Sequence, residues 1–236
     1  MRLKAILFDK DGTFVDFHAT WGPALDQAMR TLAGGDEAAL ERLAYTNRFD
    51  LATRRLRPTS PFIAEATADF ARRWAAALGR DADAAFHREM DRLLDAGALA
   101  NATPLGAPER VFPILRRAGY RLGVITNDTE AGARNQCARL ALSDHLEAIV
   151  GYDSGHGRKP APGQILHVAR LFGLAPQEIA MVGDTLHDMA AARAAGVVSI
   201  AVTSGFAGRE ELAPHADHVI DGIDALPGLL GLQSSG

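Results

Sequence analysis

Cysteine is nearly missing from this 236-residue chain, and the single Cys137 cannot form an internal disulfide. The fold must therefore stand on burial, for which this length suffices, as one large domain or two modest ones. There is also no charged-then-apolar leader and no apolar run of about 18 residues, so the chain reads as a soluble protein of a reducing compartment, with the cytoplasm as expected location. An excess of either charge is lacking too: 25 basic groups face 29 acidic ones, for a net charge of -4. That balance leaves no electrostatic footprint for nucleic acid or an anionic membrane, and neither partner is expected. Lysine is scarce, because only Lys4, Lys10 and Lys159 stand among the 25 basic residues. No repeat of fixed period is visible, so the fold has to be read from the order of elements.

What is present is ordinary for a globular protein, with 47% hydrophobic and 23% charged residues, and wholesale disorder is excluded. Lys4-Ala5-Ile6-Leu7-Phe8 reads as a buried strand that stops at Asp9-Lys10-Asp11-Gly12. From about Trp21 to Gly97 the apolar residues fall at helical spacing, as in Trp21, Leu25, Ala28 and Leu32, or Ile63, Ala66, Phe70 and Trp74, or Phe86, Met90 and Leu93. Between these lies Thr46 to Pro61, rich in Arg and Pro, which reads as a loop. After Pro104 helices alternate with short apolar strands at Arg121 to Ile125, Ala148 to Gly151, Ile179 to Val182 and Val198 to Val202. That rhythm predicts an α/β fold, a doubly wound parallel sheet covered on both faces, interrupted by a helical insertion. The expected domains are a core of residues 1–16 and 101–236 and a helical domain of residues 17–100.

In such sheets the functional crevice lies beyond the carboxyl ends of the strands. Asp9 and Asp11 follow the first strand, Thr126, Asn127 and Asp128 the second, and Asp184 and Asp188 the fourth. Carboxylates that converge repel one another, and with no His or Cys cluster an all-oxygen site suits a hard cation, Mg²⁺ above all. Mg²⁺ in turn suggests a phosphate substrate. Lys159 offers a point charge for a phosphate oxygen, and Thr126, Asn127 and helix-start N–H groups offer hydrogen bonds, although the first two also suit a helix cap. An Asp at a strand end is a credible nucleophile, and a second Asp two residues on a credible general acid and then base.

The string FDKDGT at Phe8 to Thr13, Thr126-Asn127, Lys159 before Pro160, and GDTLHD at Gly183 to Asp188 resemble, in order, the four motifs of the haloacid dehalogenase-like hydrolase superfamily. The resemblance implies a Rossmann-like core, Asp9 as nucleophile and Asp11 as acid and base. It also implies Mg²⁺ held by the Asp9 side chain, the Asp11 main-chain carbonyl and Asp184, with Asp188 in support through water. The helical insertion after the first motif resembles the small cap of the phosphoglycolate phosphatase-like branch. On that basis the expected activity is hydrolysis of a small phosphomonoester, 2-phosphoglycolate first, through an aspartyl-phosphate. The alternatives are a sugar-phosphate phosphatase, a β-phosphoglucomutase-like phosphotransferase or, from another class, a catalytically silent binding module.

Asp11 sets the chain apart from dehalogenases of the superfamily, which lack that aspartate. The absence of lysine between Lys10 and Lys159 closes a Schiff-base route like that of phosphonoacetaldehyde hydrolases. Arg54, Arg55 and Arg57 in the expected cap loop offer contacts to a second anionic group of the substrate, or simply form a solvated basic loop. Trp21, Phe70 and Trp74 read as cap core, and Cys137 as a buried, inert thiol. Lys10 acquires no catalytic role from the sequence, and the sequence is silent on oligomeric state.

Overall fold

The structure, a computed structural model, describes residues 3–57, 59–64 and 67–232. Strand β1 (Ala5–Phe8) buries all four of its side chains, as a strand covered on both faces must. The chain then enters a helical segment of α1 (Phe17–Ala33), α2 (Glu37–Asn47), the strands β2 (Phe49–Asp50) and β3 (Arg55–Leu56), α3 (Pro61–Ala64), α4 (Thr67–Leu78) and α5 (Ala84–Ala100). Alternation follows through α6 (Pro108–Arg117), β4 (Arg121–Ile125), α7 (Glu130–Arg139), β5 (Ala148–Val150), α8 (Gly163–Phe172), β6 (Ile179–Gly183), α9 (Leu186–Ala195) and β7 (Val198–Val202). The chain ends with α10 (Arg209–Leu212), β8 (His218–Ile220) and α11 (Leu226–Leu229). By their contacts the elements form two compact units, Met1–Asp16 with Thr103–Gly236, and Phe17–Ala102. Among the described residues no helix is long and apolar enough to cross a membrane.

The first unit is built on one sheet of order β5-β4-β1-β6-β7-β8, parallel throughout. The period of two along β1 sends Ile6 and Phe8 to one face, with Leu122, Val124, Ala180 and Val182. Ala5 and Leu7 go to the other face, with Ile125, Ile179 and Met181. On the first face Phe8 stacks on Phe112 at 4.8 Å between ring centroids, and Phe14 meets Phe112 edge-on at 5.4 Å. The chain runs outward from β1 through β4 to β5, then returns to the opposite side of β1 with β6. The topological switch point therefore lies at β1, and the ends of β4, β1 and β6 stand side by side.

In the second unit α1 packs closely on α5. A Cβ added at Gly97 would sit 2.8 Å from both the Cα and the Cβ of Ala24, so only glycine admits this approach. Asn47, fully buried at the end of α2, accepts from the Trp74 indole at 2.9 Å and donates to the Leu43 carbonyl at 2.8 Å, tying α2 to α4. Trp21, Phe70 and Trp74 are buried, as the sequence predicts, while Ala66 lies outside the described residues. The stretch read as a loop contains the two-residue ladder of β2 and β3. Asp50 closes its turn by accepting from the N–H groups of Ala52 and Thr53, both at 2.9 Å, a local bond that hydrophobic periodicity does not register. The periodicity also passes over the short edge strand β8.

Candidate active site

Asp9 stands one residue beyond β1, and its N–H extends the ladder by donating to the Val182 carbonyl at 2.8 Å. The chain then turns tightly, with the N–H groups of Phe14 and Val15 both 3.0 Å from the Lys10 carbonyl. Gly12 makes the turn at φ 84, a conformation that costs most residues dearly. A Cβ there would also lie 2.3 Å from Asp184 Oδ2. Gly205 approaches the same carboxylate from another side, where a Cβ would lie 1.9 Å from Oδ2, and the Phe206 N–H donates to that oxygen at 3.0 Å. Asp184 is thus cradled by backbone at the end of β6.

Lys159 reaches into this nest with its ammonium 2.5 Å from Asp9 Oδ1 and 2.6 Å from Asp188 Oδ1. Asp188 is placed by its own sequence neighbourhood. Thr185 caps α9, and the Asp188 Oδ2 accepts back from the Thr185 N–H at 3.0 Å and the Thr185 hydroxyl at 2.6 Å, a reciprocal capping box. Thr13 lies 3.5 Å from both Asp9 and Asp184.

At the end of β4 Thr126 is buried, its hydroxyl accepting from the Asp128 N–H at 3.0 Å and its carbonyl from Gln164 at 2.9 Å. Asn127 follows, half-buried. Its carboxamide grips the main chain of Lys159 on both sides, accepting from the N–H at 2.9 Å and donating to the carbonyl at 3.1 Å. It holds the lysine in place. Arg54 sets its guanidinium 3.3 Å from the buried Asp26 carboxylate of its own unit.

Asp9, Asp184 and Asp188 each offer an oxygen within 4.8 Å of the others, and all three are buried. Burial pushes the Asp9 carboxyl up to about 6, against the pull of Lys159 and with Asp188 adding to the rise. Burial, Asp9 and Asp188 raise Asp184 well above the usual carboxylate range. One ammonium among three carboxylates leaves the nest short of positive charge. An all-oxygen donor set of this kind fits a hard divalent cation.

A second buried cation went unassigned by sequence reasoning. The Lys10 ammonium, fully buried, lies 2.6 Å from Asp11, 3.2 Å from Asp128 and 2.9 Å from the Gln136 side-chain oxygen. Burial opposes its charge, but Asp11 and Asp128 outweigh it and raise the Lys10 pKa. The signal available beforehand was the rarity of lysine; two of the three lysines in the chain occupy this crevice. Cys137, next to Gln136, is buried, and burial pushes its thiol up to about 12, which makes it inert.

Residues 3–196 match the haloacid dehalogenase-like hydrolase family. A phosphoglycolate phosphatase from Rhodospirillum rubrum is 32% identical over 99% of this chain and 93% of its own length. One from Chromobacterium violaceum is 41% identical over 50% of this chain, and the match spans only about half of that relative, 52% of its length. Among solved structures, CbbY from Rhodobacter sphaeroides in complex with phosphate shares the fold, with a TM-score of 0.72 at 23% identity over 98% of this chain and 99% of that one.

Proposed function

The chain belongs to the haloacid dehalogenase-like hydrolases, and from that premise we propose that it is a Mg²⁺-dependent phosphatase of a small phosphomonoester, with 2-phosphoglycolate the first candidate. The observation that carries this reading is the meeting of Asp9, Asp184, Asp188 and Lys159 in one buried nest, with Asp11 two residues past the nucleophile position. The choice of substrate leans on the relatives named phosphoglycolate phosphatase.

Asp9, the Asp11 main-chain carbonyl and Asp184 would hold the metal, with Asp188 in support. When bound, the cation offsets carboxylate charge and draws electron density from phosphoryl oxygens. The residues of the chain do the rest. One Asp9 oxygen attacks phosphorus, the bond from phosphorus to the leaving oxygen breaks with its electron pair, and Asp11 gives that oxygen a proton. A water then attacks the acyl phosphate, the bond from phosphorus to Asp9 breaks and returns its pair to the carboxylate, and the water proton goes to Asp11. Lys159, gripped by Asn127, steadies the Asp9 carboxylate and supplies positive charge to the phosphoryl group. Thr126 contributes hydrogen bonding at the same edge. Phe17–Ala102 corresponds in sequence position to the small cap of the resembling branch, and a cytoplasmic setting suits the buried free thiol.

The test is phosphate release across a panel of small phosphomonoesters, each run with Mg²⁺ and with excess chelator. Metal-dependent turnover concentrated on phosphoglycolate is expected. Preference for a hexose phosphate would move the substrate to the sugar-phosphate class, and no release from any compound would overturn the phosphatase reading.

A further inference from the structure

Lys10 and Lys159 do matching work on alternate aspartates. Lys159 bridges Asp9 and Asp188, and Lys10 bridges Asp11 and Asp128. Gln136 supplies a further oxygen to the Lys10 ammonium at 2.9 Å. Gln136 also donates to Asp128 at 3.4 Å, and the Thr129 N–H holds the other Asp128 oxygen at 2.7 Å, so the lysine is gripped by groups anchored on α7 and its capping turn. A fully buried ammonium is expensive, and an apolar side chain of similar length would fill the same volume without that cost. The Asp11 side chain is the most exposed member of the cluster, 19% against 0% for Lys10 and 12% for Asp128, and it takes the shortest contact.

We propose that Lys10 is a positioning residue, clamped by Asp128 and Gln136, that fixes the Asp11 carboxylate in the attitude from which it hands its proton to the leaving oxygen. The inference rests on the phosphatase reading above and goes beyond it by giving a task to three residues which that reading does not use. The step it serves is phosphoryl transfer to Asp9, in which the leaving oxygen keeps the electron pair of its bond to phosphorus and takes the proton of Asp11.

The experiment compares the parent with Lys10→Met and with Lys10→Met/Asp128→Asn. The single variant leaves Asp128 buried without its cation and can fail to fold; the double variant removes both charges together and carries the test. Steady-state kinetics are measured in Mg²⁺ on p-nitrophenyl phosphate, whose leaving group departs without protonation, and on an alkyl phosphate, whose leaving group needs a proton. The double variant is expected to keep the parent's melting temperature within a few degrees. Its kcat/KM should fall on the order of 100-fold on the alkyl ester and about threefold or less on the aryl ester. Equal losses on the two substrates, or a double variant as active as the parent on both, would overturn the proposal while leaving the phosphatase reading in place. A parent inactive on every phosphomonoester would overturn that reading and this proposal with it.

Discussion

Asp9 illustrates how the surroundings of a single residue can hold it at a cost to the fold. Its carboxylate is buried beside Asp184 and Asp188, and burial with like charge raises its proton affinity. Lys159 only partly offsets this. Asp9→Asn removes the proposed nucleophile and one negative charge with almost no change of volume. Turnover should disappear in a phosphate-release assay, while the melting temperature stays level or rises because carboxylate repulsion is relieved. Measurable multiple turnover by the variant would exclude Asp9 as nucleophile. Asn127 and Asp188 make the complementary point, since each uses its side chain to hold Lys159 where the crevice needs positive charge.

Elements are held by contacts that allow little adjustment. Where α1 meets α5, Gly97 lies against Ala24 so closely that even a methyl group has no room. Gly97→Ala would gain helix propensity on an exposed surface, but here the two backbones must move apart. The expected outcome is a loss of about 1–3 kcal/mol, read as a lower midpoint in urea unfolding. A midpoint equal to or above the parent's would show that the helices separate freely. The capping box of α9 shows an element end serving two purposes, because the carboxylate that satisfies the Thr185 N–H also pairs with Lys159. The turn between β2 and β3 depends on Asp50 in the same local way.

At the scale of the molecule, cation binding and protonation are linked. Burial pushes the Asp9 carboxyl up to about 6 and holds Asp184 well above the usual carboxylate range. A metal requires its carboxylate ligands ionised, so a cation bound by these aspartates would displace the protons they hold. Raised pKa values mean that these protons are held increasingly as pH falls toward and below about 6, and the sign follows: the proposed Mg²⁺ affinity should weaken with falling pH. Titration calorimetry should give a tighter Kd at about pH 7.5 than at about pH 5.5, with proton release on binding. Binding at 100 times Kd should stabilise the fold by about 2.7 kcal/mol, visible as a higher melting temperature that chelator reverses. A Kd that does not change with pH would remove the buried aspartates as ligands.

Much of this protein was legible in one dimension. Strand periodicity, helix spacing and the alternation after Pro104 determine an α/β sheet, because a chain that must bury both faces of parallel strands has few other arrangements. The aspartates at the strand ends were visible for the same reason, since strand ends are where apolar runs stop. Only the tertiary structure decided which of these groups meet. The order β4-β1-β6 brings together residues more than a hundred positions apart, so Asp9 finds Lys159 and Lys10 finds Asp128. It also set Asn127 against the main chain of Lys159 and buried the Lys10 ammonium, neither of which the sequence records. No local pattern records such pairings, because their energy comes from excluding water around groups that the sheet order alone makes neighbours.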